Sequence, residues 1–217
     1  MNSEFKASEW KSCILFFAKK FEYRLIYEFA LKIEKVYMAQ WVKGMRKDER
    51  FVEYAEILKK IENEGDPSTI VDAITYDVEV IKEACKNKNF YGAGYAKYFL
   101  LRLELLASEH DAPVDYSAKS IEHILPQKPR QESDWLNWNK LDEIEDYVNS
   151  IGNLVLLSKG KNSSAKNFNF DIKKDKYLSP RVSNYPRSVE ILTVKEWSRD
   201  VIDSRTADVI KRIVNDF

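Results

Sequence analysis

Glycine and proline are scarce in this chain of 217 residues, with six of each. Both residue types interrupt regular backbone, so their scarcity favours long regular elements over a loop-rich fold. The hydrophobic share of 44% is ordinary for a folded protein and excludes a disordered chain. A chain of this length can bury a sizeable core as one domain or as two small ones.

Long apolar runs are also missing, since none approaches the ~18 residues of a membrane-spanning helix. We therefore expect no membrane partner. Charged residues at Glu4, Lys6 and Glu9 interrupt the N-terminus, so we expect no signal peptide. The two cysteines, Cys13 and Cys85, lie far apart without a CxxC partner, which is typical of buried, reduced thiols in a cytoplasmic protein.

An overall surplus of one charge is absent, because 35 basic residues balance 35 acidic ones. A net charge of zero by itself argues against a general nucleic-acid-binding protein, because such proteins usually carry a surplus of basic residues. The distribution is uneven, however: the basic segment 159–187 holds eight basic and two acidic residues, and segment 132–146 holds six acidic residues and one lysine. This pattern fits a phosphate-binding surface, and it equally fits two solvated helix faces of opposite sign.

Helical periodicity of apolar residues dominates the first half of the chain. Gly44 is expected to end the second helix, and the many aromatic side chains are expected mainly to pack a core. The break at Asp111-Ala112-Pro113 places a domain boundary near 112–116, between a helical bundle, 1–112, and a second domain, 113–217. The predicted helices are 3–20, 22–43, 48–63, 68–86 and 90–109.

The second half predicts two short strands, 119–124 and 154–157, around an acidic helix, 141–149, that Gly152 would stop. A short helix from Asn162, a basic loop over 173–184 and a final helix over 194–214 follow. Thr193 and Glu196 have the spacing of a capping box for that last helix. The predicted fold is therefore mainly α, with a small α+β domain after an N-terminal helical bundle.

Only two histidines occur, and His123 follows a carboxylate, Glu122, at the end of the first predicted strand. Alternation along a strand would point these two side chains to opposite faces unless the backbone bends. Asn153 precedes the second strand, and Asn162 follows it. His110 matches no part of this pattern and is expected to interact with a helix C-terminus. A lone histidine is more often a core residue than a catalytic one, so the assignment depends on the whole set.

This set resembles the HNH, or His-Me finger (ββα-metal), nuclease site in order and spacing. A longer pattern narrows the resemblance to the C-terminal nuclease domain of GmrSD-type and SspE-type modification-dependent restriction proteins. The resemblance is strong over 98–178 and weak over 1–97. Its residues are Leu101-Arg102-Leu103-Glu104, Glu122-His123, Gly152-Asn153-Leu154, Asn162, Asn167, Phe170, Lys173, Tyr177, Trp197 and Arg205.

The resemblance implies a role for each residue of the set. His123 would be the general base, and Asn153 would brace its loop. Glu122 and Asn162 would bind one divalent ion, Mg²⁺ or Mn²⁺. Two positions depart from the commonest family pattern: Glu122 stands where Asp is frequent, and Asn162 stands where the name-giving motif has His.

The expected substrate is DNA, and the basic segment places the cleaved strand along Lys161, Lys166, Lys173 and Lys174. Related proteins sense modification through a nucleotide-hydrolysing domain or subunit. This chain has no GxxxxGK[ST] loop, so we expect that partner elsewhere, with 1–112 packing and docking against it. The expected function is a metal-dependent DNA endonuclease or nickase acting on foreign or modified DNA. The alternative is a catalytically silent DNA-binding or partner-binding module with a nuclease-like fold.

Overall fold

A computed structural model describes residues 5, 7–108, 119–130, 133–137, 141–158, 167–177 and 185–215. The described chain is mostly helical with one two-stranded sheet, which confirms the predicted fold class. Two compact units form, Met1–Lys82 and Glu83–Phe217. No helix in the described ranges has the length and apolar character needed to cross a membrane.

The first unit is built from helices that bury aromatic side chains. Phe17 of α1 stacks on Phe29 of α2 with ring centroids 3.9 Å apart. Gly44 ends α2 in the left-handed conformation, with φ 65°, as predicted. The helices are α1 (Trp10–Phe21), α2 (Ile26–Lys43), α3 (Lys47–Asn63), α4 (Pro67–Ala73) and α5 (Val78–Lys86), the last of which continues into the second unit.

The helix predicted over 68–86 is two helices, α4 and α5. Asp66 caps α4 by accepting a hydrogen bond from the Thr69 N–H at 3.2 Å. Ile74 then adopts an extended backbone while its side chain is buried, which ends α4.

The second unit holds the sheet and the helices that cover it. Strand β1 (Lys119–His123) pairs antiparallel with β2 (Leu154–Ser158), with His123 opposite Leu154. The unit begins before the boundary predicted near 112–116, because the helix over 96–106 packs against β2 inside it. Its helices are α6 (Ala96–Leu106), α7 (Leu141–Val148), α8 (Phe170–Tyr177), α9 (Pro186–Val189) and α10 (Arg199–Asn215).

Apolar residues from β2 and from the loops and helices around it form the core of the second unit. Two predicted boundaries are wrong here: α8 is helical through Tyr177, and the last helix begins at Arg199 instead of 194. Thr193 belongs to a 3-10 turn and donates to the Glu190 carbonyl at 2.9 Å, so it does not cap a helix. The core residues are Ile124, Leu125, Trp135, Ile144, Val148, Val155, Leu157, Ile191, Trp197 and Ile202.

Candidate active site

The carboxamide of Asn153 ties the loop after β1 to the turn before β2. Its side chain is fully buried, with 0% exposure. Its oxygen accepts hydrogen bonds from the Leu125 N–H at 2.8 Å and the Trp197 indole N–H at 3.0 Å. Its nitrogen donates to the carbonyls of Leu125 at 3.0 Å and Val148 at 2.8 Å. The two bonds to Leu125 fix the backbone just after His123, and the other two tie Asn153 to Trp197 and to the end of α7.

Close packing of α10 explains the glycine beside Asn153. A Cβ atom on Gly152 would lie 2.1 Å from the Ile202 carbonyl oxygen and 2.5 Å from the Thr206 hydroxyl. Arg205 donates from Nε to the Gly152 carbonyl at 2.9 Å and lies over the Trp197 ring, 5.4 Å from its centroid. Gly152 therefore allows α10 to pack closely against this turn. The sequence-based interpretation, that Gly152 stops the acidic helix, does not describe this role.

His123 is nearly buried at the end of β1, with 8% exposure. Its ring packs edge-on against Tyr91, with centroids 4.4 Å apart. Burial lowers the pKa of His123 to about 4, with the Asn149 hydrogen bond opposing that shift and the Lys173 charge adding to it. The imidazole is therefore neutral near pH 7, as a general base must be.

The partner of His123 fixes which nitrogen carries its proton. Nε2 lies 3.1 Å from the side-chain oxygen of Asn149, which also accepts from the Gln127 amide at 3.1 Å. A carbonyl oxygen only accepts, so Nε2 donates and Nδ1 keeps the lone pair. Nδ1 has no hydrogen-bond partner within the described part of the chain. The atom that can take a proton from water is thus the one left uncommitted.

A buried lysine, Lys173, pairs with Glu122, the residue directly before His123. The Lys173 ammonium of α8 lies 2.9 Å from Glu122 Oε1 and 2.6 Å from the His123 carbonyl oxygen. The side chains of Lys173 and Glu122 are 1% and 8% exposed. Burial lowers the pKa of Lys173, and the Glu122 charge opposes that shift. This ion pair joins α8 to the strand end that carries His123.

Glu122 and His123 line one cleft of about 260 Å³, together with Tyr91, Gln127, Asn167 and Lys173. Adjacent residues of a regular strand would face opposite sides. The side chains of Glu122 and His123 both reach this cleft because β1 ends at His123. The chain then turns, and Asn153 accepts a hydrogen bond from the Leu125 N–H in that turn. A carboxylate and an imidazole thus border one space.

Glu122 is the described carboxylate that lines the cleft beside His123. Among the described residues, no group of three or more His, Cys, Asp or Glu could hold a metal, and Asn162 lies outside those residues. Glu122 and the His123 carbonyl already bind one cation, the Lys173 ammonium. Mg²⁺ takes the same kind of oxygen donors and often uses only one or two carboxylates, with waters and substrate phosphates completing its shell. Glu122 and the His123 carbonyl are thus oxygen donors of the kind such an ion takes, and Lys173 would compete with an ion for both.

The lysines predicted to contact DNA occupy very different places. Lys161 and Lys166 lie outside the described residues. Lys173 is buried and paired, so its predicted place on a DNA-facing surface does not match its 1% exposure. The side chain of Lys174 is 21% exposed, pairs with Asp171 at 3.3 Å and donates to the Val194 carbonyl at 3.1 Å. Only Lys174 of these four is placed at a surface by the described structure.

Two neighbours of His123, Asn149 and Tyr91, were not predicted from the sequence. Asn149 ends the turn after α7, and Tyr91 lies in a 3-10 turn whose N–H donates to the Asn149 carbonyl at 3.0 Å. Neither residue has a local sequence signal, because both approach His123 through tertiary packing.

Comparison with known proteins gives one finding. A family model described as "GmrSD restriction endonucleases, C-terminal domain" matches residues 75–212. That range covers more than half of the chain and includes every residue of the cleft and of its bracing turn. No curated protein and no solved structure matches the chain.

Proposed function

The chain belongs to the family of GmrSD restriction endonuclease C-terminal domains, and we propose that it is a metal-dependent DNA endonuclease or nickase of the His-Me finger type. Membership in this family makes DNA the substrate. The observation that carries the finer proposal is the strand end itself. A neutral His123 and a carboxylate, Glu122, border one cleft, and Asn153 fixes the backbone at Leu125, just after them.

In the proposed mechanism His123 takes a proton from water at Nδ1, since Asn149 holds Nε2. Asn153 keeps the loop in place through its two bonds to Leu125. Lys173 holds the His123 carbonyl and neutralises Glu122 before substrate enters. Glu122 and Asn162 would hold one Mg²⁺ or Mn²⁺. When bound there, such an ion would polarise the phosphate and stabilise the leaving 3′ oxygen.

We further propose that the chain is the effector of a cytoplasmic restriction system directed against foreign or modified DNA. A separate nucleotide-hydrolysing domain or subunit would sense the modification. The predicted helical domain, 1–112, would pack and dock against that partner. Two buried, free thiols, Cys13 and Cys85, are consistent with a reducing compartment.

A silent DNA-binding or partner-binding module is the alternative, and one observation favours it. Lys173 already neutralises Glu122, so the cleft carries less negative charge than an ordinary cation site. A silent module would keep the brace and the ion pair for stability alone. The two proposals differ in whether replacing His123 changes anything beyond packing.

Supercoiled plasmid incubated with Mg²⁺, Mn²⁺ or EDTA tests the proposal. We expect nicking with metal and none with EDTA. His123→Ala should abolish nicking, whereas His110→Ala, a change of the only other histidine, should not. Asn162→Ala and Glu122→Gln should each require more metal for the same rate. Normal nicking by a folded His123→Ala protein would reject the assignment, and the absence of nicking by the unchanged protein would favour the silent module.

A further inference from the structure

A second cleft, of about 590 Å³, opens beside the one that holds His123. Asn167 lines both, so the two spaces adjoin. Arg130, Phe168, Asn169 and Ile172 also line the second cleft. None of them belongs to the set of residues that the proposed cleavage chemistry uses.

The main feature of this cleft is a cation lying over an aromatic ring. The Arg130 guanidinium carbon is 4.6 Å from the centroid of the Phe168 ring. The backbone of each partner is anchored. Ser133 donates to the Arg130 carbonyl from its N–H at 3.1 Å and its hydroxyl at 2.8 Å, and the buried Trp135 indole donates to the Phe168 carbonyl at 2.9 Å. Arg130 and Phe168 together form a platform on an anchored backbone beside the cleft.

Such a platform suits a nucleobase in both size and chemistry. Bases stack on aromatic rings and on guanidinium planes, and stacking tolerates any base because every base has a π-face. The half-buried Asn167 adds a carboxamide, which can donate to and accept from a base edge. Ile172, 43% exposed, adds apolar contact at the rim. The volume lies in the usual range for small-ligand sites.

We infer that the Arg130–Phe168 platform binds one unpaired base of the cleaved strand, next to the phosphate attacked by the water that His123 activates. The faces of a base in intact duplex are covered by its neighbours. Only an unpaired or turned-out base can therefore reach the platform. The inference rests on the proposed function for the position of the cut, and it adds that the strand is locally unpaired at the site.

Binding of a fluorescent base tests the platform without requiring cleavage. The probe is a short single strand with a central 2-aminopurine, titrated into the His123→Ala protein. We expect stacking to quench the fluorescence, and the matched duplex to bind without that quench. Phe168→Leu and Arg130→Lys should each weaken single-strand binding roughly tenfold, because one keeps volume and the other keeps charge while both lose a flat face. Lys128→Gln, on the same exposed loop, should change affinity by less than about twofold.

The outcomes separate the platform from the nuclease assignment. Unchanged quenching and affinity in the Arg130→Lys protein would overturn the platform, and so would equal losses in Arg130→Lys and Lys128→Gln. Arg130 is exposed, so this arm does not depend on the folding of the Phe168 variant. If the unchanged chain cuts no plasmid while quenching still requires Arg130, the nuclease proposal fails and the base-binding platform stands.

Discussion

The sheet of the second unit has a bracing side and a cleft side, which use polar groups in opposite ways. The bracing side comprises Gly152, Asn153, Trp197 and Arg205. There the Asn153 carboxamide makes four internal hydrogen bonds. The cleft side comprises Glu122, His123, Asn149 and Lys173, and it leaves His123 Nδ1 uncommitted among the described residues. Damage to the bracing side should therefore appear as lost folding, and damage to the cleft side as lost function.

The strongest test of this contrast is Asn153→Ala. The change leaves two N–H groups and two carbonyls buried without their partner, at about 1–3 kcal/mol each. We expect a loss of about 5 kcal/mol in the free energy of unfolding, enough to unfold a domain of ordinary stability. Denaturant titration measures the loss. Asn87→Ala, at an exposed turn, should cost less than about 1 kcal/mol. A cooperative transition of nearly normal midpoint in Asn153→Ala would show that these four hydrogen bonds do not stabilise the fold.

Lys173 is the exception on the cleft side, because its buried ion pair also supports the fold. Lys173→Met removes the ammonium that balances the charge of the buried Glu122 carboxylate, and we expect a loss of about 4 kcal/mol in the free energy of unfolding. Combining it with Glu122→Leu removes both charges and should recover most of that loss. Lys174→Met, at the neighbouring position, should have an effect below about 1 kcal/mol.

A double-mutant cycle from urea unfolding gives the coupling between Lys173 and Glu122 directly. A coupling near zero would mean that the pair contributes nothing to folding. The doubly changed protein should fold and yet fail to cut DNA, since it lacks the proposed metal ligand. That combination would separate the structural role of Lys173 from the functional role of Glu122.

Sequence patterns predicted the parts of this site that have local signals. The end of β1 at a histidine, the second strand after Asn153, and the mainly helical fold all follow from short-range periodicity and turn residues. The burial of Lys173 did not follow, because a lysine in a basic segment resembles a surface residue until its tertiary partner is known. The role of Gly152 was also not predictable, since the helix that packs closely against it, α10, lies far along the chain.

Acid should destabilise the protein through His123. Its pKa in the folded state, about 4, lies below the ordinary value of 6.5, so the unfolded chain binds more protons between these values. The contribution to stability is complete above pH 6.5 and is lost as pH falls towards 4. It amounts to no more than about 3 kcal/mol. Comparing the pH dependence of unfolding in the unchanged and His123→Asn proteins isolates it, because the variant should lack this slope. Parallel profiles would show that His123 titrates normally.

The smallest effect on folding, and the sharpest test of the cleft side, concerns Asn149. Its oxygen accepts from His123 Nε2 and orients the ring, so Asn149→Ala should lower kcat about tenfold with little change in KM. The cost in stability should be about 1 kcal/mol, because the two hydrogen bonds lost are at a half-buried residue and one of them is to the exposed Gln127. Asn149→Asp keeps an acceptor and should retain more activity. Its charge should raise the pKa of His123 and move the acid limb of the rate profile to higher pH.

Proton NMR can follow this shift directly, since His110 is the only other histidine and supplies a reference signal. A merely structural Asn149 would leave the titration of His123 unchanged in Asn149→Asp while lowering stability in both variants. An upward shift of that titration, with activity retained in Asn149→Asp and lost in Asn149→Ala, requires that Asn149 acts on the proton of Nε2. The bracing side offers no such separation, because each of its hydrogen bonds ends on a buried group that cannot titrate near neutral pH.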